Sequence, residues 1–275
     1  MVRPAAIPAL VVAVLAAALL AASAAGRAGV GAKREQAPAP AQVPVAAAPR
    51  QDPAPVETLP QPAERSAPRH AGPRDFRVLE VRSGRTVKLR RKPGGPTVAR
   101  VGSTTEFGSR TVLSVARRRG KWLGVVSSDL PNGRLGWVRE GDAAVRSAAT
   151  GPVSISVDLS ERSLELRKGR SVLRRVTVAV GRPGSSTPTG RFAVTDKLTG
   201  SSYGPYYGCC ILALSGKQPN PPPGWQGGNR LAIHGTNAPG SLGQASSAGC
   251  LRASDEDLRV LMRRVPLGTP VFVHG

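Results

Sequence analysis

Aromatic residues are scarce in this chain of 275 residues, which has four Phe, three Trp and three Tyr, none of them before Phe76. Aromatic side chains supply much of the buried area of a globular core. We therefore expect no packed core in the residues before Phe76, and we do not expect one core built from the whole chain.

Cysteine and histidine are equally rare. Three cysteines are too few for a small domain framed by disulfides. The three histidines, His70, His234 and His274, have no ligand spacing among themselves or with cysteine, so the sequence predicts no metal site. A phosphate-binding loop is also not predicted, because Gly227–Gly228 lacks the lysine and the strand–helix context. We therefore expect no cofactor.

Acidic residues are outnumbered by basic ones. The chain has 39 Lys and Arg against 17 Asp and Glu, a formal net charge of +22. Such an excess favours an anionic partner, which would be nucleic acid, a membrane surface or an acidic polymer. The charge alone does not choose among these three.

The N-terminus narrows the choice. Residues 5–25 are almost entirely apolar and follow Arg3, and small residues stand at 22–24. This pattern predicts an export signal over 1–25, or an uncleaved membrane anchor of the same length. In both cases the remaining chain lies outside the membrane, in the cell envelope or wall. Nucleic acid is then not an expected partner, whereas anionic wall polymers and lipid headgroups are.

Residues 26–73 contain ten prolines and no aromatic residue. Such a segment buries too little apolar surface to offset its ordering entropy. The sequence therefore predicts a disordered, semi-stiff Pro/Ala-rich linker.

The segment 74–148 reads as short strands between turns. The turn signals are Pro93–Pro96 and Pro131–Gly133, and alternating apolar residues predict a small antiparallel barrel. The predicted strands cover 76–79, 86–90, 111–115, 122–126 and 136–138. The pattern resembles bacterial SH3-like domains.

The same segment is the most basic part of the chain for its length. Between 74 and 150, 17 basic against 6 acidic residues give +11. The cluster Arg117–Lys121 is predicted at a hairpin turn, either simply solvated or in contact with a wall polymer. We expect Trp122 and Trp137 in the core.

The last segment, 152–275, is also predicted to be mostly β. One helix is signalled by Ser254 as its N-cap and by the acidic residues 255–257 in its first turn. Arg263–Arg264 would close it, with Leu258, Leu261 and Met262 on one face. The predicted strands cover 153–157, 174–180, 191–194, 231–233 and 271–273.

His234 and Cys250 are the candidate catalytic residues. His234 ends an apolar strand, and Cys250 follows a run of small residues sixteen positions later. A cysteine nucleophile needs a base, a held imidazole and backbone donors for an oxyanion. One His and one Cys would be weak evidence by themselves, since an inert buried Cys is the default.

Four motifs together strengthen this interpretation. They are Ser186–Phe192 (STPTGRF), Ile233–Asn237 (IHGTN), Ser247–Arg252 (SAGCLR) and Gly268–Val271 (GTPV). In this order they resemble the L,D-transpeptidase catalytic domain family of the YkuD type. The two resemblances together imply a mainly β fold, in which a small SH3-like β-barrel precedes a β-sandwich catalytic domain with one short helix.

The resemblance also implies roles. Cys250 would attack the peptide carbonyl that precedes a terminal D-alanine of a peptidoglycan stem peptide, and His234 would act as general base and acid. Gly235 has no side chain, so we expect a backbone carbonyl from elsewhere in the loop to hold the imidazole. Backbone amides of Gly249 and Cys250 are the expected oxyanion donors.

Ser247 and Arg252 complete the predicted site. Ser247 would tether the loop rather than act chemically. Arg252 would steady the motif or meet a carboxylate of the stem peptide, and a salt-bridged structural role is equally compatible with the sequence. The chain has Ala248 where many members of the family have His, which puts substrate details in doubt more than catalysis.

Three features near the site stay open. Cys209 and Cys210 would form a strained disulfide or pack as two thiols, and we favour packed thiols. The aromatic residues around them would line a substrate groove or pack as an ordinary loop: Tyr203, Tyr206, Tyr207 and Trp225. Residues 219–228 read as an irregular loop that would act as a lid.

Two classes of function follow. The first is an enzyme that forms 3→3 cross-links between stem peptides, with hydrolysis of the acyl-enzyme (L,D-carboxypeptidase action) or attachment to a protein amine as variants. The second is a non-catalytic, basic wall-anchoring protein. The pair His234 and Cys250 favours the enzyme.

Overall fold

The part of the chain described by the computed structural model comprises residues 75–225 and 228–275. The predicted export signal or anchor (1–25) and the predicted linker (26–73) lie outside these residues. Within the described ranges, no helix has the length and apolarity needed to cross a membrane.

The N-terminal sheet contains seven strands that pair only in antiparallel fashion, in the order β3-β2-β6-β5-β4-β1-β7. Alternating residues such as Val87 and Leu89 face its core, as the sequence pattern predicts. Val98 is 40% exposed, whereas Ala99 and Val101 of the same strand pack against the core. The strands are β1 Arg77–Val81, β2 Thr86–Arg90, β3 Thr97–Gly102, β4 Val112–Arg119, β5 Trp122–Val125, β6 Gly136–Arg139 and β7 Val145–Ala149.

The two tryptophans of this sheet have different environments. Trp137 is buried, as predicted. Trp122 is only half-buried and lies beside basic side chains, with the Arg90 guanidinium 5.9 Å from its ring centroid. The basic cluster does form the β4–β5 hairpin turn, where Arg118 pairs with Glu140 at 2.7 Å. The SH3-like assignment of the sheet stays a prediction.

The C-terminal sheet has eight strands in the order β10-β9-β8-β17-β12-β13-β14-β16, and β11 and β15 pair beside it. Two of its neighbouring pairs are parallel, β8 with β17 and β14 with β16. The strands are β8 Val153–Asp158, β9 Ser163–Lys168, β10 Ser171–Thr177, β11 Val180–Gly181, β12 Gly190–Thr199, β13 Cys210–Lys217, β14 Arg230–His234, β15 Ala245–Ser247, β16 Leu251–Arg252 and β17 Pro270–His274.

Strand β12 connects the two halves of this sheet. Its residues 190–193 pair with β17, and its residues 194–199 pair with β13 across a register shift between Val194 and Asp196. Side chains from both halves meet in one core that includes Phe192, Leu212 and Ile233. The predicted sandwich is therefore a single sheet that bends at β12.

Helix α1, Asp255–Arg264, begins and ends where the sequence predicts. Ser254 is its N-cap and accepts a hydrogen bond from the Asp257 amide at 3.1 Å. Leu258 and Leu261 are fully buried against the sheet, while Met262 is half-buried. The helix thus closes the core on the side of β13 and β14.

The two sheets are joined by polar and apolar contacts. The Arg191 guanidinium on β12 donates to the carbonyl oxygens of Val115 and Ala116 on β4, at 2.8 and 3.3 Å. Asn132 exchanges two hydrogen bonds with the backbone of Lys217. These contacts fix the N-terminal sheet against the half of the C-terminal sheet that carries β12 and β13.

Replacing the N-cap Ser254 with Ala should lower the free energy of unfolding by about 1 kcal/mol, because the Asp257 amide loses its side-chain acceptor. Urea unfolding followed by circular dichroism measures the change. The exposed Ser202 offers a matched Ser→Ala control with no expected effect. Equal stability of Ser254→Ala and the control would contradict the capping role.

Candidate active site

The relative position of Cys250 and His234 follows from the pairing of β14 with β16. In this parallel register Ile233 lies opposite Leu251 and His234 opposite Arg252, so Cys250 lies opposite Ala232. Ala232 and His234 are two residues apart on one strand, and their side chains therefore share a face. Strand spacings place the Cα atoms of Cys250 and His234 about 8 Å apart, on the same side of the sheet.

The His234 imidazole is held by a backbone carbonyl. His234 is fully buried, and its Nδ1 lies 2.6 Å from the carbonyl oxygen of Gly235. Nδ1 must carry the proton in this contact, because a carbonyl only accepts. Nε2 is then the basic nitrogen, and it is buried with no hydrogen-bond partner among the described residues. The carbonyl belongs to Gly235 itself, so the expected carbonyl from elsewhere in the loop is wrong.

Gly235 is required by close packing. A Cβ at this position would lie 2.2 Å from Asp255 Oδ1 and 2.9 Å from the Gly208 Cα. The Gly235 amide donates to the Cys210 carbonyl at 3.0 Å, while Asp255 accepts from the Cys209 amide at 3.0 Å. The first turn of α1 thus supports the segment that holds the imidazole.

Burial keeps both reactive groups neutral in the resting site. The pKa of His234 is lowered to about 4, mainly by desolvation and to a smaller extent by the charge of Arg252, against the opposing effect of its bond to Gly235. Burial also raises the pKa of the Cys250 thiol, although a hydrogen bond from the Ala232 amide and the charge of Arg252 act in the opposite direction. The thiol lies 3.7 Å from the Arg230 carbonyl oxygen, and within the described ranges no hydrogen bond joins it to the imidazole.

The loop before Cys250 is tied down by side chains. Ser247 Oγ donates to the Cys250 carbonyl at 2.6 Å and accepts from the Gly249 amide at 3.0 Å. Thr187 donates to the Gly249 carbonyl at 2.8 Å. The Gly249 amide is therefore engaged by Ser247 and is not free as an oxyanion donor, contrary to expectation. The Cys250 amide remains the candidate.

Gln218 joins the two motif loops to each other. Its Nε2 lies 3.0 to 3.1 Å from the carbonyl oxygens of Ser185, Ser186 and Ala248. The same nitrogen would lie 2.0 Å from a Cβ at Gly249, where φ is +120°. A glycine is therefore required beside the nucleophile both by space and by backbone conformation.

Arg252 lies beside the imidazole without an acidic partner. Its guanidinium donates to the Tyr206 hydroxyl and lies 4.8 Å from the centroid of the Tyr206 ring. In the part of the chain that the structure describes, no carboxylate pairs with it, so the salt-bridged role is wrong.

Aromatic rings form one wall of the cavity that contains Cys250 and His234. The Tyr206 and Tyr207 rings lie 5.6 and 4.9 Å from the imidazole, measured between centroids. The cavity has a volume of about 190 Å³. Tyr203 and Trp225 also line it, so the aromatic residues form a groove as one of the two readings had it. Trp225 belongs to the loop predicted as a lid, of which residues 226–227 lie outside the described ranges.

Cys209 and Cys210 form a disulfide between neighbouring residues, and Cys250 is free. The preference for two packed thiols is therefore wrong. The bridge lies at the start of β13, where Cys210 is the first residue and the next residue, Ile211, pairs with His234. Its position leaves Cys250 as the free thiol of the described residues.

The described side chains were compared with the requirements of a metal site. No group of three or more His, Cys, Asp or Glu side chains suited to a metal ion occurs within 75–225 and 228–275. His274 lies on another part of the sheet, where its ring is 3.2 Å from the Ser156 hydroxyl.

Several residues of the site had no sequence signal of their own. Gln218 follows β13 without a recognisable motif, and its role depends on contacts across 30 or more residues. Asp255 was predicted only as a helix-capping acid. Tyr206 was named as one of several aromatic residues, without its bond to Arg252. Thr187 lies within the quoted STPTGRF motif, which was the one available signal.

A free thiol and a buried imidazole line one cavity of a mainly β domain, which is the arrangement of a cysteine–histidine active site. The L,D-transpeptidase catalytic domain family, YkuD, matches residues 152–273. A Bacillus licheniformis protein named as an L,D-transpeptidase (YkuD) is 34% identical over 131 residues, which cover 47% of this chain and 70% of that protein. The chain belongs to this family, as the resemblance predicted.

The chain is also similar to other proteins and solved structures. The protein of the same name in Bacillus subtilis is 34% identical over 125 residues, covering 45% of this chain and 66% of that protein. A solved L,D-transpeptidase from Mycobacterium smegmatis is 15% identical with a TM-score of 0.39, and covers 72% of this chain and 99% of its own. L,D-transpeptidase 3 from Mycobacterium tuberculosis is 19% identical with a TM-score of 0.36, at 51% and 74% coverage.

Family membership carries a general function. L,D-transpeptidases are acyl-transferring enzymes that act on peptidoglycan peptides, generally in the cell envelope. The matched residues 152–273 include all four motifs, together with His234 and Cys250. The N-terminal sheet lies outside the matched range.

The burial of neutral His234 should make the protein sensitive to mild acid. The unfolded chain takes up a proton near pH 6.5, whereas the folded protein resists until about pH 4. Stability is therefore lost as pH falls from 6.5 to 4, by up to about 3 kcal/mol from this residue. Urea unfolding at several pH values should show this loss in the wild type and less of it in His234→Gln. The exposed His274→Gln is the control, and an unchanged slope in His234→Gln would refute the assignment.

Gln218→Glu should destabilise the protein by about 1–3 kcal/mol, because a carboxylate cannot donate to the three carbonyl groups that Gln218 contacts. Chemical unfolding at neutral pH measures the effect. Gln244→Glu, at an exposed position, provides the matched control and should change stability by less than about 0.5 kcal/mol. Equal effects at the two positions would argue against a joining role for Gln218.

Proposed function

We propose that the protein is a peptidoglycan L,D-transpeptidase in which Cys250 is the nucleophile and His234 the general base and acid. The acyl donor is a stem peptide that ends in D-alanine, and the acceptor is an amine of a second stem. The product is a 3→3 cross-link. The proposal joins the family membership to the geometry of the cavity.

In the first half-reaction, His234 Nε2 takes the thiol proton while Cys250 Sγ attacks the carbonyl carbon that precedes D-alanine. The backbone amide of Cys250 faces the developing oxyanion. When the tetrahedral intermediate collapses, the C–N bond breaks. The imidazolium then gives its proton to the departing amine of D-alanine, and a thioester remains on Cys250.

In the second half-reaction, the acceptor amine attacks the thioester carbonyl and His234 Nε2 takes the proton that the amine loses. The C–S bond breaks, and Cys250 leaves as a thiolate that regains the proton from the imidazolium. Water in place of the amine would give hydrolysis, the carboxypeptidase variant. Both outcomes use the same acyl-enzyme, so the products distinguish them.

The single observation that carries this proposal is the placement of Cys250 and His234 on one face of the β14–β16 pair, within one cavity. Because Nδ1 of His234 contacts the Gly235 carbonyl, Nε2 is the unprotonated nitrogen, and the mechanism requires a nitrogen of that kind as the base. Most cysteines are buried and inert. Here a neighbouring base, a cavity and a glycine at the preceding position distinguish Cys250 from that default.

The pKa directions support activation by proton transfer rather than a preformed ion pair. Burial holds the thiol neutral and the imidazole unprotonated at neutral pH. Cys250 Sγ can therefore attack the carbonyl of a bound substrate while the thiol proton moves to His234. Arg252, without an acidic partner, offers a positive charge for the terminal carboxylate of the D-alanine.

The test is acylation by a carbapenem followed by mass spectrometry of the intact protein. The wild type should gain the mass of one carbapenem, attached at Cys250 as a thioester. Cys250→Ser should gain none, because a serine hydroxyl beside the same base is a far weaker nucleophile. His234→Gln should be acylated at least about a hundredfold more slowly. Thermal unfolding of each variant verifies that it is folded.

A stem tetrapeptide with an acceptor stem then separates the possible functions. Cross-linked dimers that have lost one D-alanine indicate transpeptidation. Tripeptide alone indicates carboxypeptidase action and would contradict the transferase proposal. A wild type that binds wall material but gives neither a carbapenem adduct nor a peptide product would instead support the non-catalytic anchoring alternative.

A further inference from the structure

The loop between β3 and β4 reaches from the N-terminal sheet to the cavity of the C-terminal sheet. This loop, residues 103–111, is closed by an isolated bridge between Thr104 and Arg110. Within it, the Thr105 amide donates to the Ser109 carbonyl at 2.8 Å, and the Ser109 amide donates to Thr105 Oγ1 at 3.1 Å. The internal bonds give the loop a defined shape before any ligand binds.

Two polar contacts fasten this loop to the catalytic domain. The Thr105 hydroxyl donates to Asp196, which is fully buried on β12. Glu106 pairs with Arg230 on β14, with Oε1 and Nη1 2.6 Å apart. The Arg230 side chain is only 14% exposed whereas that of Glu106 is 53% exposed, so the cation of this pair is sheltered and the carboxylate faces solvent.

Arg230 connects the loop to the nucleophile. Its guanidinium also donates to Thr195 Oγ1 at 2.8 Å and to the Leu214 carbonyl at 2.8 and 3.0 Å, so its position is fixed from several sides. Its own carbonyl oxygen lies 3.7 Å from Cys250 Sγ. The residue that anchors Glu106 thus also borders the thiol.

Phe107 is the loop residue that faces the cavity. Its ring lies under the Arg230 guanidinium at 5.6 Å and packs edge-on against Tyr203 at 6.3 Å between centroids. Tyr203 contacts Tyr207, and Tyr207 contacts the His234 ring. Two aromatic rings, those of Tyr203 and Tyr207, therefore separate Phe107 from the imidazole along this series of contacts, and Phe107 lines the same cavity as Cys250.

We infer that Phe107, contributed by the N-terminal sheet, is a specificity-determining residue. Its ring contacts the part of a stem-peptide donor upstream of the scissile bond. The inference rests on the proposed function. The Arg230 guanidinium beside the Phe107 ring is already paired with Glu106, so it is not available to a carboxylate of the donor. The ring therefore favours contact with the aliphatic and peptide portions of the donor. A donor too short to reach Phe107 gains nothing from it.

The experiment compares donors of different length in the full chain. Phe107→Ala should raise KM for a stem tetrapeptide by about tenfold, with kcat within twofold, because the lost contact is apolar and remote from the reacting atoms. For a donor cut to an N-acetylated residue followed by D-alanine, KM should not change. Acylation by a carbapenem should stay within twofold of the wild type.

Controls separate this contact from a general effect on the fold. Phe76→Ala removes a second aromatic residue that joins the two sheets, in contact with Phe272 at 6.5 Å, and should leave KM for the tetrapeptide unchanged. If Phe107→Ala does not fold, Phe107→Leu replaces it and should show a smaller rise, about threefold, with the same dependence on length.

The outcomes distinguish this inference from the proposed function. If the wild type is not acylated by the carbapenem and does not turn over the tetrapeptide, the proposed function fails. If it does both and Phe107→Ala keeps the wild-type KM, the inference is overturned. An equal loss on long donor, short donor and carbapenem would also overturn it, because Phe107 would then act only through the fold.

Discussion

Parallel pairing of β14 with the two-residue strand β16 sets the distance between thiol and imidazole, because a change of one residue in this register would turn Cys250 to the opposite face. The surrounding contacts protect this register. Ser247 and Thr187 hold the chain just before β16, and Gln218 ties it to the neighbouring loop. A short strand with few ladder bonds of its own is thus kept in place by side chains from elsewhere.

The burial of His234 and Cys250 has a chemical consequence of its own. A neutral thiol and a neutral imidazole cost far less to bury than a thiolate and an imidazolium. Among the described residues, the resting site therefore has a buried nitrogen without a hydrogen-bond partner, Nε2 of His234, and a guanidinium without an acidic partner, that of Arg252. A stable core would avoid both features.

The sequence could predict the features that depend on local patterns. The capped helix α1, the strand that ends at His234 and the family motifs are all read within a few residues. The local pattern does not predict β7, β9 or the short strands β15 and β16. The role of Gln218, the partner of Arg252 and the approach of Phe107 depend on residues 30 or more positions away, or on a different sheet. Such contacts have no local signature, because topology rather than propensity brings them together.

The anchoring of Thr105 to buried Asp196 gives the two sheets a common thermodynamic fate. Unfolding of the N-terminal sheet would expose the buried carboxylate of Asp196 and take the Glu106 partner away from Arg230. The two sheets should therefore unfold together rather than as independent foldons. By linkage, a ligand that binds the cavity stabilises the strands of the N-terminal sheet as well. The basic N-terminal sheet is then expected to unfold together with the catalytic domain, rather than to behave as an independent binding module.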